Sequence, residues 1–194
     1  MSIRKDDRVL DAARECVLAF GVRRTTMSEV ARRSGLSRPT VYRSWPDVTS
    51  LVADLMTREM ASIVAASAPA PGAPGSARDS MVEHVVAIVD ALHDNPLFVK
   101  ILDVDPELVT TYVLDRLGAS QHAALDFLDG GLRAGQADGS IRAGDPAELA
   151  AMVLLVVQSV VLSGRLVAGQ LPHPHLDAEL RRLLHGYLAP GEHR

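Results

Sequence analysis

The sequence predicts an all-α protein of about nine helices, and two observations support this. Helix-start signals recur along the chain, where a Ser, Thr, Asn or Asp that can cap a helix precedes apolar residues at three- and four-residue spacing. Three of these caps are followed by Pro, at Asn95-Pro96, Asp105-Pro106 and Asp145-Pro146. In addition, no stretch alternates apolar and polar residues as a half-buried strand would.

The composition is that of an ordinary folded protein. Of the 194 residues, 47% are hydrophobic and 23% are charged, which excludes a disordered chain. Cys16 is the single cysteine, so no internal disulfide can form, and a reducing cytoplasm is the expected compartment. The start of the chain lacks the apolar core of a signal peptide. The apolar segment 149–162 is shorter than the ~20 residues that a bilayer requires, so we expect no membrane span.

The N-terminal part of the chain predicts one longer helix and then two short ones. Amphipathic periodicity places the first helix at about Lys5 to Phe20. Thr26 and Glu29 have the spacing of a capping box, in which the hydroxyl and the carboxylate each satisfy a free amide at a helix start. Gly35 can end that second helix, and Ser37 can cap a third. Two short helices joined by a tight turn are a helix-turn-helix.

The third helix has two chemically different faces. Residues four apart lie on the same face, so Val41 and Trp45 should both face the core. The opposite side is basic and rich in hydrogen-bonding groups, which suits phosphates and base edges in a major groove. The predicted DNA contacts combine this side with residues just before the second helix that could reach the phosphate backbone: Arg24, Thr25, Thr26, Arg38, Pro39, Thr40, Tyr42 and Arg43.

The first quarter of the chain resembles the TetR family of bacterial transcriptional regulators. The resemblance lies in these residues: Phe20-Gly21, Thr25-Thr26, Val30-Ala31, residues 35–37, Thr40-Val41-Tyr42 and Trp45. It implies an N-terminal DNA-binding domain and an effector site in the helices that follow. Two positions depart from the usual family pattern: Trp45 stands where Phe is usual, and Val48 where Lys is usual, which removes one expected phosphate contact.

Charge is distributed unevenly along the chain. The net charge is −4, which at first argues against a nucleic-acid partner. Residues 1–50, however, carry 10 Lys/Arg and 6 Asp/Glu, a net charge of +4, whereas residues 51–194 carry 10 and 18, a net charge of −8. The positive charge therefore coincides with the predicted helix-turn-helix, as binding to DNA requires.

A segment rich in Pro and Gly divides the predicted helices. Residues 67–77 read SAPAPGAPGSA and cannot continue a helix. We therefore predict a helix-turn-helix DNA-binding domain at 1–48, a connecting helix at 49–66, a linker at 67–77 and a ligand-binding and dimerisation domain at 78–190.

The last two predicted helices suggest a dimer. The helix from about Pro146 to Ala168 is apolar nearly all round and needs cover on every side. A second copy of the chain could supply it, with the last helix, about Asp177 to Leu188, completing a four-helix bundle. The alternative is a helix fully buried within one chain. The predicted dimer interface consists of Met152, Val153, Val156, Val157, Val160, Leu180, Leu183 and Leu184.

For the effector site, the sequence offers composition only. The helices after the linker contribute mostly apolar residues and a few polar groups, as small-molecule sites do, although a plain core has the same composition. The candidate ligand-binding residues are Met81, His84, Val85, Ile88, Phe98, Leu102, Tyr112, Phe127, Leu128, Gln158, Leu162 and Arg165.

Metal-binding and catalytic patterns are not apparent, so we expect no enzyme, cofactor, catalytic residue or metal site. His173 and His175 lie in a Pro-rich stretch interpreted as a loop, without a recognisable carboxylate or Cys ligand. Asp103, Asp105 and Glu107 resemble a cation site, but Asp105 is explained as a helix cap. No nucleophile elbow, phosphate-binding Gly loop or H-E-x-x-H motif is present.

The sequence thus favours a cytoplasmic homodimeric regulator that binds a double-stranded, palindromic operator. It is expected to act as a repressor that a small hydrophobic effector releases, without a membrane partner. The alternative is a helical ligand-binding or protein-interaction module with weak or vestigial DNA binding, suggested by Val48 and by the acidic C-terminal part.

Overall fold

The computed structural model describes residues 5–70, 74–105 and 118–191. These residues form nine α-helices and one 3₁₀ helix and no strand, which confirms the all-α prediction. The α-helices are α1 Lys5–Phe20, α2 Met27–Ser34, α3 Arg38–Ser44, α4 Val48–Ala66, α5 Ala77–Asp94, α6 Pro96–Val104, α7 Ala119–Ala137, α8 Pro146–Ser163 and α9 His173–Leu188. The 3₁₀ helix, Gly164–Val167, directly follows α8.

The chain forms two compact units. Unit 1 contains the described residues of Met1–Ser62 and Asp94–Leu117, and unit 2 those of Ile63–His93 and Gly118–Arg194. The division falls inside α4 and near the end of α5. Helix α6, which lies within the predicted domain 78–190, is thus grouped with the helix-turn-helix.

Unit 1 is built around the apolar faces of its helices. Val9, Ala13 and Val17 of α1 are buried together with Val41 and Leu55. Leu97 and Ile101 of α6 enter the same core, although they follow in sequence only after the end of α5. Burial of this cluster removes apolar surface from water, the main favourable term in folding.

The helix-turn-helix forms largely as its local signals predict. The Thr26 hydroxyl accepts a hydrogen bond from the Glu29 amide at 3.2 Å, which caps α2. Gly35 ends α2 in the left-handed conformation, with φ of 68°, which a side chain would disfavour. The predicted capping box is only half correct, because the Glu29 carboxylate binds Arg32 and Arg33 instead of returning to the helix start.

Unit 2 contains α5, α7, α8, α9 and the end of α4. Its core combines Val82 and Val86 of α5 with Leu132, Val153 and Leu184 of the later helices. The Asp145 carboxylate caps α8 as predicted, accepting from the Ala147 amide at 2.9 Å.

Helix α8 is only partly buried. Its buried residues are Leu149, Ala150, Val153 and Leu154, whereas Leu155 is 61% exposed. With its 3₁₀ extension, the segment Pro146–Val167 has 22 residues, which agrees with the predicted helix from about Pro146 to Ala168. By length and composition alone this segment could cross a membrane, which is weak evidence for a span. The expectation of no membrane span, drawn from the shorter apolar segment 149–162, stays a prediction.

Two helices begin earlier than the sequence suggests. Helix α5 begins at Ala77, where the Ser76 hydroxyl accepts from the Asp79 amide and the Asp79 carboxylate from the Ser76 amide. Helix α9 begins at His173 rather than at about Asp177, so the predicted loop around His173 is helical. The segment expected to follow Asp105-Pro106 lies outside the described residues.

Candidate nucleic-acid interface and effector region

Helix α3 is held at both ends by polar contacts. Ser37 caps its start by accepting from the Thr40 amide at 3.4 Å, and the two hydroxyls lie 2.7 Å apart. At the other end, Val41 and Trp45 are buried as predicted, with exposures of 1% and 5%. The Trp45 indole nitrogen donates to the Asp54 carboxylate of α4 at 2.8 Å. These contacts fix which side of α3 faces solvent.

The solvent-facing side carries the predicted basic residues. Arg38, Pro39, Tyr42 and Arg43 are exposed, and we call these four residues the recognition surface. Among the described residues, none pairs with the guanidinium group of Arg38 or Arg43. An exposed, unpaired guanidinium can donate to phosphate or to the edge of guanine without first breaking an internal contact.

The residues before α2 divide into accessible and buried positions. Arg24 and Thr26 are exposed, although the Thr26 hydroxyl is engaged in capping α2. Thr25 is 4% exposed, and its hydroxyl donates to the Gly21 carbonyl oxygen at 2.8 Å. This hydroxyl therefore stabilises the turn, and the Thr25 side chain is not presented to solvent.

The arginines of α2 differ from those of α3. Hydrogen bonds from Arg32 and Arg33 lower the pKa of the Glu29 carboxyl to about 2, so this carboxylate stays charged and neutralises part of their charge. Arg33 also lies 3.5 Å from the Glu15 carboxylate. The ten Lys and Arg residues of segment 1–50 therefore overstate the number of cations available to DNA.

Val48 has a structural role at the start of α4. It is half-buried and packs against the core of unit 1. The side chain that replaces the Lys usual in the family thus contributes apolar packing.

Asp105 is an important residue whose role the sequence did not reveal. It is fully buried, and its carboxylate accepts from the Val22 amide at 2.7 Å and from the Arg23 amide at 3.3 Å. Next to this contact, Gly21 has a φ of 80°, and an added Cβ would lie 2.8 Å from Val104 Cγ1. This carboxylate therefore holds the loop between α1 and α2, whereas the helix that it was predicted to cap lies outside the described residues.

The candidate effector residues do not form one group. In unit 2, Met81, His84, Val85, Ile88 and Leu128 are buried, Phe127, Gln158 and Leu162 are half-buried, and Arg165 is exposed. Phe98 and Leu102 are on α6 in unit 1, and Tyr112 lies outside the described residues.

His84 is the best-defined polar group of this region. Its Nε2 lies 2.8 Å from the Val64 carbonyl oxygen, and its ring meets the edge of Phe127 at 4.7 Å between centroids. This histidine therefore already has polar and aromatic partners inside unit 2.

The predicted dimer residues also divide by exposure. Val153, Leu180 and Leu184 are buried in the core of unit 2 and cannot face a partner chain. Val156, Val157 and Val160 are half-buried, whereas Met152 and Leu183 are 45% and 50% exposed. The exposed residues Met152, Leu155 and Ser159 share one face of α8, which we call the α8 stripe. Leu155 was not among the predicted interface residues, because α8 is apolar on every side.

Comparisons with known proteins agree with a helix-turn-helix in the N-terminal part of the chain. Residues 9–55 match the model of the family described as bacterial regulatory proteins, tetR family. An uncharacterized HTH-type transcriptional regulator of Mycobacterium tuberculosis, Rv2250c, is 40% identical over 181 residues, covering 93% of each chain.

Solved structures show the same fold at lower identity. The transcriptional regulator FadR from Bacillus subtilis, in complex with stearoyl-CoA, is 16% identical with a TM-score of 0.68, covering 93% of this chain and 98% of FadR. The regulator SmeT in complex with triclosan is 18% identical with a TM-score of 0.66, covering 96% and 92%. The chain therefore belongs to the TetR family of helix-turn-helix transcriptional regulators.

Proposed function

We propose that the protein is a cytoplasmic, homodimeric repressor that binds a palindromic operator through α3 and releases it when a small hydrophobic effector binds unit 2. The observation that supports this most strongly is the recognition surface. It presents two guanidinium groups and a tyrosine ring on the side of α3 opposite the buried Val41 and Trp45. Arg24 and Thr26 are proposed to contact the phosphate backbone, the latter beside its capping hydrogen bond.

The α8 stripe supports the dimer. An apolar side chain as exposed as Leu155 is unfavourable in water unless a partner covers it, and clusters of such residues are typical of interfaces. A two-fold dimer presents two copies of α3, which must lie about 34–36 Å apart to meet successive major-groove turns. We therefore propose Met152, Leu155 and Leu183 as interface residues, with half-buried Val156, Val157 and Val160 beside them.

The proposed effector class rests on unit 2 and on the relatives. Its interior is apolar with few polar groups, and FadR and SmeT were solved with stearoyl-CoA, which has a long apolar acyl chain, and with triclosan, which is largely apolar. An effector can shift the dimer away from DNA only by its difference in affinity for the two conformations. Repression and release together require that the effector bind the DNA-free form better.

Binding to a selected DNA duplex tests the proposal. The wild-type protein is used to select duplexes from a random library, and affinity for the selected sequence is measured by fluorescence anisotropy. Because each good base contact is worth about 1–3 kcal/mol, Tyr42→Ala and Arg43→Ala should each weaken binding about 10- to 100-fold. Dimerisation, measured by analytical ultracentrifugation, should not change.

Arg133→Ala is the matched control, because Arg133 is an exposed arginine of α7 in unit 2. It should bind the selected duplex as the wild type does. If the selection enriches no sequence, or if Arg43→Ala binds the selected duplex as tightly as Arg133→Ala does, α3 is not the helix that recognises the DNA sequence.

A second candidate function is favoured by Val48, whose packing into the core of unit 1 replaces an expected phosphate contact. In that case the protein is mainly a helical ligand-binding or protein-interaction module and binds DNA weakly. It predicts an affinity for DNA that hardly depends on salt.

A further inference from the structure

Helices α5 and α9 are joined by a row of charged pairs within unit 2. Asp79 pairs with His185, with 3.8 Å between carboxylate oxygen and ring nitrogen, and Glu83 binds Arg181 through two hydrogen bonds of 2.6 and 3.0 Å. Each of these pairs combines one acid with one base, as is usual for a solvated ion pair between helices.

The third group in this row has a different composition. Asp90 of α5 and His173 and Asp177 of α9 bring one potential ligand atom each within 4.8 Å of one another. The two carboxylates thus converge on a single imidazole. His93, one turn after Asp90, stacks on the His173 ring at 3.8 Å between centroids.

The distances in this group are too long for hydrogen bonds. His173 Nδ1 lies 3.6 Å from Asp90 Oδ1 and 3.7 Å from Asp177 Oδ2, beyond the ~3.2 Å limit of an N–H···O bond. Two ligands that each lie about 2.0–2.2 Å from a tetrahedral metal are separated by roughly 3.3–3.5 Å. The two separations from His173 are therefore close to those of ligands that share one ion, and the two carboxylates lie within 4.8 Å of each other.

Polar atoms in the group are also left without partners. Three buried side-chain atoms have no hydrogen-bond partner in the described part of the chain, and two of them belong here: His173 Nε2 and Asp177 Oδ1. A cation bound to the Asp177 carboxylate would compensate this group, whose Oδ1 has no hydrogen bond.

We propose that Asp90, His173 and Asp177 form a site for a divalent transition-metal ion, with Zn²⁺ as the probe, which joins the start of α9 to α5. Imidazole nitrogen and carboxylate oxygen are accepted ligands of zinc, and three protein ligands leave one coordination position for water or another group. This proposal departs from the sequence-based expectation of no metal site. The first turn of α9, interpreted as loop in the sequence, places His173 and Asp177 four residues apart on one helix face.

Zinc titration of the untagged full-length chain, freed of metal by a chelator, tests the site. Isothermal titration calorimetry should show one Zn²⁺ per chain for the wild type, and its thermal midpoint should rise with zinc concentration. Loss of a ligand should cost more than the about 10- to 100-fold in affinity that loss of an outer-shell partner costs. His173→Ala and Asp177→Asn should therefore bind zinc at least about 100-fold more weakly.

Two further variants make the result decisive. Asp90→Asn changes an exposed carboxylate, so the fold should be kept and zinc binding should still weaken. His185→Gln changes the acid–imidazole pair on the same two helices and should bind zinc as the wild type does. Absence of stoichiometric binding, or binding that none of Asp90→Asn, His173→Ala and Asp177→Asn weakens, would overturn the proposal.

Discussion

The recognition surface and the α8 stripe are both exposed, but they differ in chemistry and in how they arise. On α3, the exposed side is basic and the opposite side carries buried Val41. On α8, the exposed Leu155 and the buried Val153 are both apolar. The first surface is suited to a charged partner and the second to an apolar one. A helix with two different faces reveals its orientation in the sequence, whereas a helix that is apolar on both faces does not.

The largest expected effect is on dimerisation, when a charge is introduced into the α8 stripe. Leu155→Glu places a carboxylate at the centre of the α8 stripe, and burying an unpaired charge in an interface costs about 3–5 kcal/mol. The dimer dissociation constant should therefore rise by about two to three orders of magnitude, as measured by analytical ultracentrifugation.

Ala123→Glu is the control for this substitution, because Ala123 is exposed on α7. It introduces the same charge outside the α8 stripe and should leave the dimer intact. If Leu155→Glu dimerises as tightly as Ala123→Glu does, the α8 stripe is not an interface.

The next effect concerns the buried carboxylate that holds the loop between α1 and α2 in unit 1. Asp105→Ala removes the acceptor of the Val22 and Arg23 amides, and leaving a buried donor without a partner costs about 1–3 kcal/mol. The free energy of unfolding of unit 1 should fall by that amount in urea titrations. Trp45, the single tryptophan of the chain, reports on this unit by its fluorescence.

Asp126→Ala removes an exposed carboxylate of α7 and serves as the control. It should leave the Trp45 transition unchanged. A transition of Asp105→Ala that coincides with this control would show that the buried carboxylate does not stabilise the loop.

The success of sequence-based prediction follows the range of the interactions. The boundaries of α2 and α3 could be predicted because Thr26, Gly35 and Ser37 act within four residues along the chain. Asp105, by contrast, accepts from amides that precede it in the sequence by 83 and 82 positions, at Val22 and Arg23. No pattern of neighbouring residues could have predicted this contact.

Similar limits apply to the candidate sites in unit 2. The apolar composition proposed exposed Met152 and Leu183 as interface residues together with Val153 and Leu184, which are buried, because all four are apolar. The sequence does not predict the Asp90–His173–Asp177 group, because the group forms only where α5 and α9 pack together and because α9 begins at His173.

The smallest expected effect is on thermal stability, when the ion pairs of Glu29 with Arg32 and Arg33 in α2 are removed. The pKa of Glu29 is lowered from 4.5 to about 2 in the folded protein, chiefly by hydrogen bonds from Arg32 and then Arg33. A lowered pKa means that the carboxylate stabilises the fold above pH 4.5 and that this contribution is lost as the pH falls towards 2.

Glu29→Gln should accordingly lower the thermal midpoint slightly at pH 7. The difference from the wild type should shrink as the pH is lowered from 5 towards 2, because the wild-type carboxylate becomes protonated there. A difference between the two proteins that stays constant with pH would contradict the proposed role of the charged carboxylate.

The most direct test of DNA recognition through α3 is the salt dependence of binding to the selected duplex, compared between the wild type and Arg38→Ala/Arg43→Ala. Each neutralised phosphate contributes about 0.9 to the slope of log affinity against log salt concentration. The wild-type affinity should fall steeply with salt. The double variant should bind more weakly at every salt concentration, with a slope shallower by about 0.9 for each of its two arginines that contacts phosphate rather than a base. A wild-type affinity that is independent of salt, or a double variant that binds as tightly as the wild type, would contradict the account.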